Sequence, residues 1–216
     1  MLDLPGAGRW LVQNSPARRV PSHGTELFGT RYAIDLVGVD ERGRSALSSL
    51  RALVAAEPPE LFTGFGRALL APIAGEVVAV HDGEPDHEAR RSPFTLLPYA
   101  LGQASRVRQG VAAIAGNHVI IARADGVCVA LVHLRMGSIR VRPGERVAVG
   151  SPLAECGNSG NSTEPHVHLQ ATDHAEMASA RGLPFVFRRF RERVRGGIWV
   201  ERELAVPGDR SLVEPA

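Results

Sequence analysis

The sequence contains no lysine, so all 25 of its basic residues are arginines. That absence excludes Schiff-base chemistry, a P-loop and any cofactor tethered to lysine, including lipoyl and biotinyl arms. Cysteine is also scarce. Cys128 and Cys156 are too few for a disulfide framework, and each lies in an apolar stretch, so we expect two buried thiols.

Long apolar runs and an excess of charge are missing too. Without a run of about 18 apolar residues, the sequence predicts no membrane-spanning helix. Residues 1–9 show no signal peptide. We therefore expect a cytoplasmic location if the natural chain begins at Met1, and the cell envelope or the exterior if a leader has been removed. A net charge of +2 is too small to indicate nucleic acid as a partner. The oligomeric state stays open.

What is present is a chain of 216 residues with 44% hydrophobic residues, enough for a single domain with one core. The 23 glycines and 15 prolines separate short β-branched runs, a pattern that favours an all-β fold. The predicted strands are residues 10–12, 32–37, 75–81, 118–124, 127–134, 139–141 and 166–171.

The Asp125-Gly126 pair between two apolar runs predicts a β-hairpin with a two-residue turn. Paired residues would then have numbers that sum to 251, which places His118 opposite His133 on one face of the sheet. In that position His118 would either orient His133 or be an incidental strand residue.

Three segments depart from this β pattern. Residues 45–56 carry leucines and a valine at helical spacing after Ser45, a candidate N-cap, and predict a short helix that ends before Pro58. The positions at this spacing are Leu47, Leu50, Leu53 and Val54. Residues 82–110 are irregular and charged, and we interpret them as a long surface loop. The arginine-rich run 188–195 is interpreted as a solvated face.

His166 and His168 form an HxH pair on a predicted strand. Side chains at positions i and i+2 of a strand point to the same side, so both imidazoles would face one side of the sheet. The glycine-rich polar loop 157–165 comes directly before them and would expose the start of the strand at the rim of the sheet, where a site can form.

The run GNSGNSTEPHVH at 157–168 and the upstream features His133-Leu134, Gly137-Ser138, Pro143-Gly144 and Gly150 together resemble the lysostaphin-type zinc metallopeptidases, the LytM or M23 family. RYAID at 31–35 and APIAGEVV at 71–78 resemble two further strands of that core. The resemblance covers about residues 10–173. It implies a distorted antiparallel β-sandwich of the barrel-sandwich hybrid type, with insertions at 41–66 and 82–110 and a C-terminal extension at 174–216.

In that family zinc is held by a histidine, an aspartate and the second histidine of HxH, which points here to His23, Asp35 and His168. The commonest position of the first ligand is taken by Arg31, so His23, twelve positions before Asp35, is assigned as the only histidine upstream. Two histidines and one carboxylate would leave the fourth tetrahedral position open to water. His133 and His166 would be the catalytic histidines beside the zinc, and which of them is the general base stays open.

The resemblance implies an endopeptidase that cleaves peptidoglycan peptides or cross-bridges next to small residues by zinc-activated water. Two departures stand against it. Leu131 occupies a position where many members have tyrosine, and the only tyrosines are Tyr32 and Tyr99, which leaves Arg31 as a candidate for stabilising the oxyanion. The alternatives are a metal-binding or inactive regulatory scaffold and a histidine phosphocarrier on a similar fold.

Overall fold

The computed structural model describes residues 1–47, 51–194 and 196–216, and every absence stated for the structure concerns these residues. Over these residues the chain forms thirteen strands and three short α-helices. The strands are β1 (Arg9–Gln13), β2 (Ile34–Val39), β3 (Ala68–Leu70), β4 (Gly75–His81), β5 (Asn117–Ala122), β6 (Cys128–Leu134), β7 (Arg146–Val147), β8 (Pro152–Glu155), β9 (Val167–Thr172), β10 (Gly182–Leu183), β11 (Phe187–Arg193), β12 (Trp199–Ala205) and β13 (Leu212–Glu214). The helices are α1 (Pro93–Leu101), α2 (Gln103–Gln109) and α3 (Val111–Ala115), and 3-10 turns occur at Leu27–Tyr32, Arg51–Leu53 and Pro59–Leu61.

Eleven strands form one large antiparallel sheet, which confirms the predicted all-β class. Its order is β12-β11-β13-β1-β2-β9-β6-β5-β4-β7, with β10 paired to β9, while β3 and β8 form a separate pair. Strands β2, β9 and β6 lie side by side in the middle of this order, although they are far apart in the chain. Strand β2 carries Asp35, β9 carries His168 and β6 carries His133.

The central strands divide their side chains between two faces. Ile34 and Leu36 of β2 and Leu169 of β9 are fully buried in the main hydrophobic core. Burial of a side chain of this size contributes about 1.5–3 kcal/mol relative to leaving it exposed. Because side chains alternate along a strand, the residues between them point to the opposite face. Asp35 and His168 are therefore placed on the face that turns away from the main core.

The β5–β6 hairpin differs from the sequence prediction by one residue. Its turn has three residues, 124–126, closed by a hydrogen bond from Arg123 N to Val127 O of 2.9 Å. Gly126 takes the left-handed conformation, with φ of 88°. The extra residue shifts the pairing, so that Val119 lies opposite Leu131.

A bulge at the start of β5 then returns the pairing to Asn117 opposite Leu134, so His118 has no single partner on β6. It pairs with His81 of β4, and the two rings are stacked with their centroids 5.5 Å apart. The Nδ1 of His118 donates to the carbonyl oxygen of Gly116 at 2.8 Å. An orienting role of His118 toward His133 has no support in this geometry.

Residues 82–110 are not the predicted surface loop throughout, because α1 and α2 form within them and α3 follows directly. Ser92 is the N-cap of α1, its Oγ accepting a hydrogen bond from the backbone N–H of Phe94 at 3.2 Å, and Pro93 takes the first helical turn. A serine followed by proline is a recognised start signal for a helix, and the overall irregularity of the segment concealed it.

The short helix predicted at 45–56 is not observed over the described residues. Ser45 does not cap a helix; its Oγ donates to Glu164 Oε2 at 2.9 Å, and Ala46 pairs with Phe62 as an isolated bridge. Only the 3-10 turn Arg51–Leu53 follows. Leu50, one of the positions at helical spacing, lies outside the described residues.

The C-terminal segment completes the large sheet. Strand β13 pairs with both β1 and β11, and on β11 Phe187 and Phe190 are fully buried. The arginines of β11 point outward, as the solvated-face interpretation expected, and Arg189 pairs with Glu201 at 2.5 Å. Arg195 lies outside the described residues. Among the described helices none has the length and apolar character needed to cross a membrane.

Candidate metal centre

Asp35 and His168 face each other across neighbouring strands. Strands β2 and β9 are in register with Asp35 directly opposite His168, so both side chains emerge on the same face. Asp35 Oδ1 lies 2.9 Å from His168 Nδ1. Both residues are only 6% exposed, so this contact is shielded from solvent.

His23 reaches the same carboxylate from the loop before β2. Its Nε2 lies 3.1 Å from Asp35 Oδ2, and its ring centroid is 4.7 Å from that of His168. The loop packs closely on β9, since a Cβ added at Gly29 would lie 2.6 Å from Thr172 Cγ2. One donor atom from each of the three side chains lies within 4.8 Å of the others. The structure thus brings together the three residues that the sequence analysis assigned as metal ligands.

The tautomer of His168 follows from its neighbours. Gln170 Nε2 donates to Phe28 O at 2.8 Å, which orients the amide so that its Oε1 faces His168 Nε2 at 2.9 Å. Because an amide oxygen only accepts, His168 carries a hydrogen on Nε2. A neutral His168 therefore presents the lone pair of Nδ1 to the carboxylate of Asp35.

The same reasoning applies to His23. Ser22 Oγ donates its hydrogen to Thr30 O at 3.2 Å and therefore accepts from His23 Nδ1 at 3.0 Å. A neutral His23 then presents the lone pair of Nε2 to Asp35. Lone pairs on two imidazoles that face one carboxylate repel it unless a cation, either a further proton or a metal ion, lies among them.

The electrostatics of Asp35 agree with a ligand role. Burial by itself raises the pKa of this carboxyl. The charges of His23 and His166 and the hydrogen bonds from His168 and His23 outweigh burial and hold the pKa of Asp35 well below its usual range. The carboxylate is therefore ionised at neutral pH, as a metal ligand must be.

His133 reaches this face through a β-bulge. Leu131 and Leu134 of β6 both point into the main core, and the register shifts at this point of the β5–β6 pairing. His133 has a φ of 63°, which is rare for a residue other than glycine. Strict alternation would direct His133 into the core with Leu131. The bulge instead places its ring 4.8 Å from the ring of His166 and 6.0 Å from that of His168.

Both catalytic candidates are held by backbone carbonyl groups. His133 Nδ1 donates to Ser159 O at 2.9 Å, and His166 Nδ1 donates to Glu164 O at 2.8 Å. In the neutral form each ring therefore keeps the lone pair of Nε2 free to accept a proton. His166 Nε2 lies 3.7 Å from Asp35 Oδ1.

His133 is neutral at neutral pH. Burial is the main cause that lowers the pKa of His133 well below its usual value, and the charges of His166 and His168 lower it further. A neutral imidazole at this position is able to act as a base.

The tyrosines and Arg31 are engaged elsewhere. Arg31 donates from Nε to Tyr32 Oη at 3.2 Å and forms an ion pair with Glu26. The hydroxyl of Tyr99 donates to Gly160 O at 3.3 Å. The idea that Arg31 takes the place of a tyrosine at the reacting carbonyl is therefore not supported. Leu131 is fully buried in the core.

Two polar residues that touch this cluster were missed in the sequence. Asn14 Nδ2 donates to Asp35 Oδ2 at 2.7 Å, and Gln170 orients His168 as described above. Gln170 continues the alternation of His166 and His168 at the next i+2 position, and that spacing could have identified it. Asn14 itself has a φ of 51°. Nothing in the sequence predicts this conformation or the contact with Asp35.

Residues 99–179 match the model of Peptidase family M23. This part of the chain is therefore similar to peptidase family M23. The matched region includes His133, His166 and His168, whereas His23 and Asp35 lie before it. The M23 motif around the HxH pair is thus the part of the site that the family match covers.

Solved structures similar to this chain include the metalloprotease pseudoalterin, described as from the deep sea, with 13% identity, a TM-score of 0.44 and coverage of 95% of this chain and 98% of that one. The catalytic domain of lysostaphin from Staphylococcus simulans shows 14% identity, a TM-score of 0.41 and coverage of 82% and 88%. A chain of the SpoIIQ–SpoIIIAH pore-forming complex shows 15% identity and a TM-score of 0.36 over 69% of this chain. The present chain spans 60% of the length of that last relative.

Proposed function

We propose that this chain is an M23-type zinc endopeptidase that hydrolyses peptide bonds of peptidoglycan peptides or cross-bridges next to small residues. The observation that carries the proposal is the convergence of two imidazole lone pairs, from His23 and His168, on the ionised carboxylate of Asp35. Two imidazoles and one carboxylate are a donor set typical of catalytic zinc, with a further position for water. The residues present therefore fit the metal.

The chemistry divides between the metal and the two remaining histidines. Zinc, when bound, supplies a Lewis acid and lowers the pKa of water to about 7. His133 and His166, each with Nδ1 engaged by a carbonyl group, offer Nε2 to take up a proton and return it to the leaving amine. The burial of both rings keeps bulk water away from these proton transfers.

The M23 match and the resemblance of the HxH motif support the proposed substrate class. A peptide bond reaches the buried cluster only if the residue on at least one side of it is small, since a bulky side chain there would hold the carbonyl away from the metal. Peptides rich in glycine and alanine, such as those of bacterial cell walls, meet that condition.

Hydrolysis of soluble peptidoglycan peptides by the purified protein tests the proposal. We expect cleavage that a chelator abolishes and added zinc restores. His133→Ala and His166→Ala should each lose about 10²–10⁴-fold in kcat, whereas His174→Ala, at a half-exposed histidine outside the cluster, should keep its activity.

Two alternatives give different results in the same assay. The lack of a tyrosine hydroxyl at the cluster, among the described residues, favours an inactive regulatory scaffold as second candidate, and zinc binding without any cleavage would support it. A phosphocarrier would keep phosphotransfer in Asp35→Ala, whereas the endopeptidase proposal expects this variant to lose zinc binding.

A further inference from the structure

A cavity of about 250 Å³ opens beside the metal cluster, with His133 and His168 at one end. One wall is formed by Leu27 and Phe28 of the 3-10 turn after His23. The other wall comes from α2 and α3 of the helical segment. None of the described residues around the cavity is an aspartate, glutamate or arginine. Its inner surface is therefore mainly apolar and carries no charge apart from the histidines.

The helical wall is fastened to the loop that precedes the HxH pair. The apolar side chains of this wall that line the cavity are Val107 and Ile114. Arg106 donates from Nε to Asn161 Oδ1 at 2.7 Å and from Nη2 to Tyr99 O at 2.6 Å. The backbone N–H of Asn161 donates to Ile114 O at 2.9 Å. The position of the wall relative to the catalytic histidines is thus fixed by hydrogen bonds.

The opposite wall is fixed by the residues that orient the metal ligands. Phe28 accepts the hydrogen bond from Gln170, and Gln170 in turn orients His168. The backbone of Phe28, whose side chain is half-buried, is thereby tied to the metal cluster. A side chain between the walls would lie directly beside the reacting carbonyl.

We propose that this cavity binds an aliphatic or aromatic side chain on one side of the scissile bond, so that the requirement for a small residue holds on the other side only. The inference rests on the proposed function and specifies its substrate. Binding sites for drug-sized ligands measure about 300–1,000 Å³, so a cavity slightly below that range suits a single side chain. Asn161 lines the same cavity, and because Arg106 occupies its Oδ1, its Nδ2 is directed to other acceptors such as a substrate carbonyl.

Peptide binding measured by fluorescence anisotropy tests the inference without relying on turnover. The protein is the zinc-supplemented His166→Ala variant, since His166 does not line the cavity. The probes are labelled peptides with Gly–Gly, Leu–Gly, Gly–Leu or Asp–Gly at the centre. We expect one of the two leucine peptides to bind about tenfold or more tightly than the Gly–Gly peptide, and the aspartate peptide to gain nothing. Equal or weaker binding of both leucine peptides would overturn the inference.

Variants of the wall provide a second readout. Val107→Ala and Ile114→Ala should each reduce the preference for leucine over glycine several-fold. Leu97→Ala, on the exposed face of α1 in the same helical segment, should leave that preference unchanged. If the preference does not change in the wall variants, the cavity is not the leucine site.

The two proposals fail in different ways. If the wild-type chain cleaves none of these peptides and yet binds a leucine peptide preferentially, the endopeptidase proposal fails and the pocket stands. If it cleaves the Gly–Gly peptide and shows no leucine preference in binding, the endopeptidase proposal stands and the pocket fails.

Discussion

Gln170 illustrates how one buried amide can define which nitrogen of a proposed metal ligand, His168, is available. Its amide Nε2 donates to Phe28 O, and its Oε1 accepts from His168 Nε2. His168 Nδ1 is therefore the only nitrogen of that ring available to a metal. Removing the acceptor frees His168 to take the other tautomer. Outer hydrogen-bond partners of this kind are worth about 10–100-fold in metal affinity.

We therefore expect Gln170→Leu to weaken zinc binding by about 10–100-fold in a competition titration with a chromophoric chelator. Gln170→Glu retains an acceptor oxygen toward His168 Nε2 and should bind zinc more tightly than Gln170→Leu. Equal zinc affinities for the two variants would show that the acceptor has no role.

The stability of the folded chain depends on pH through His118, a residue that lies outside the metal cluster. Burial lowers the pKa of His118, and the hydrogen bond to Gly116 O only partly opposes it. The folded chain thus keeps this imidazole neutral, while the unfolded chain takes up a proton below about pH 6.5. The free energy of unfolding must fall as the pH is lowered from about 6.5 toward the folded-state pKa, by at most about 1.4 kcal/mol per pH unit for this group.

His118→Asn, whose amide can still donate to Gly116 O, should have a smaller loss of stability between about pH 6.5 and about pH 5 than the wild type. Urea unfolding of the metal-free proteins at several pH values measures the difference. An unchanged slope would mean that His118 is protonated equally in the folded and unfolded chains.

At the scale of elements, the loop 157–165 is held by its contact with the turn that leads into β5. Gly160 has a φ of 69°, and a Cβ there would overlap the backbone nitrogen of Gly116. The loop also supplies Ser159 O to His133 and Glu164 O to His166. A displacement of this loop therefore reaches both catalytic candidates.

Gly160→Ala should lower the free energy of unfolding by about 2–4 kcal/mol, from backbone strain and overpacking together, and should also reduce peptidase activity. Gly144→Ala is a matched control, since Gly144 also has a positive φ but has open space where an added Cβ would lie. It should cost about 1–2 kcal/mol and keep its activity. Thermal unfolding of the two variants gives the comparison, and equal losses in both would rule out the close contact as the cause.

The same elements show where sequence patterns were sufficient and where they failed. Strand β4 begins and ends where the sequence predicted it, and His168 lies on β9 with His166 directly before that strand. Alternation could not place His133, because the bulge in β6 depends on pairing with β5. The irregular, charged composition of residues 82–110 led to the prediction of a loop, so the helices α1 and α2 were missed. Ser92 and Pro93 nevertheless form a local helix start signal. At 45–56 the spacing predicted a helix that the described residues do not form, since Ser45 and Ala46 bind elsewhere in the chain.

At the scale of the whole molecule, the C-terminal segment is joined to the sheet that carries the proposed metal ligands Asp35 and His168. Strand β13 lies next to β1, which pairs with β2 and thus with Asp35. The arginine-rich pattern of β11 concealed two buried phenylalanines, so the sequence indicated only an extension there. Its burial makes this segment part of the main core.

Phe190→Ala should lower the free energy of unfolding by about 3–5 kcal/mol, because it leaves a cavity in that core. Arg189→Ala, at the neighbouring exposed position, should change stability little, since surface ion pairs contribute little. Urea unfolding monitored by circular dichroism distinguishes the two. A Phe190→Ala variant as stable as Arg189→Ala would show that β11 is not part of the cooperative core.

The central claim is that His23, Asp35 and His168 hold one metal ion, and zinc content after equilibrium dialysis tests it most directly. We predict stoichiometric zinc in the wild type and in His174→Ala, reduced zinc in His23→Ala, and almost none in Asp35→Ala or His168→Ala. The account would be contradicted by a wild-type chain without stoichiometric zinc, or by full zinc content in Asp35→Ala.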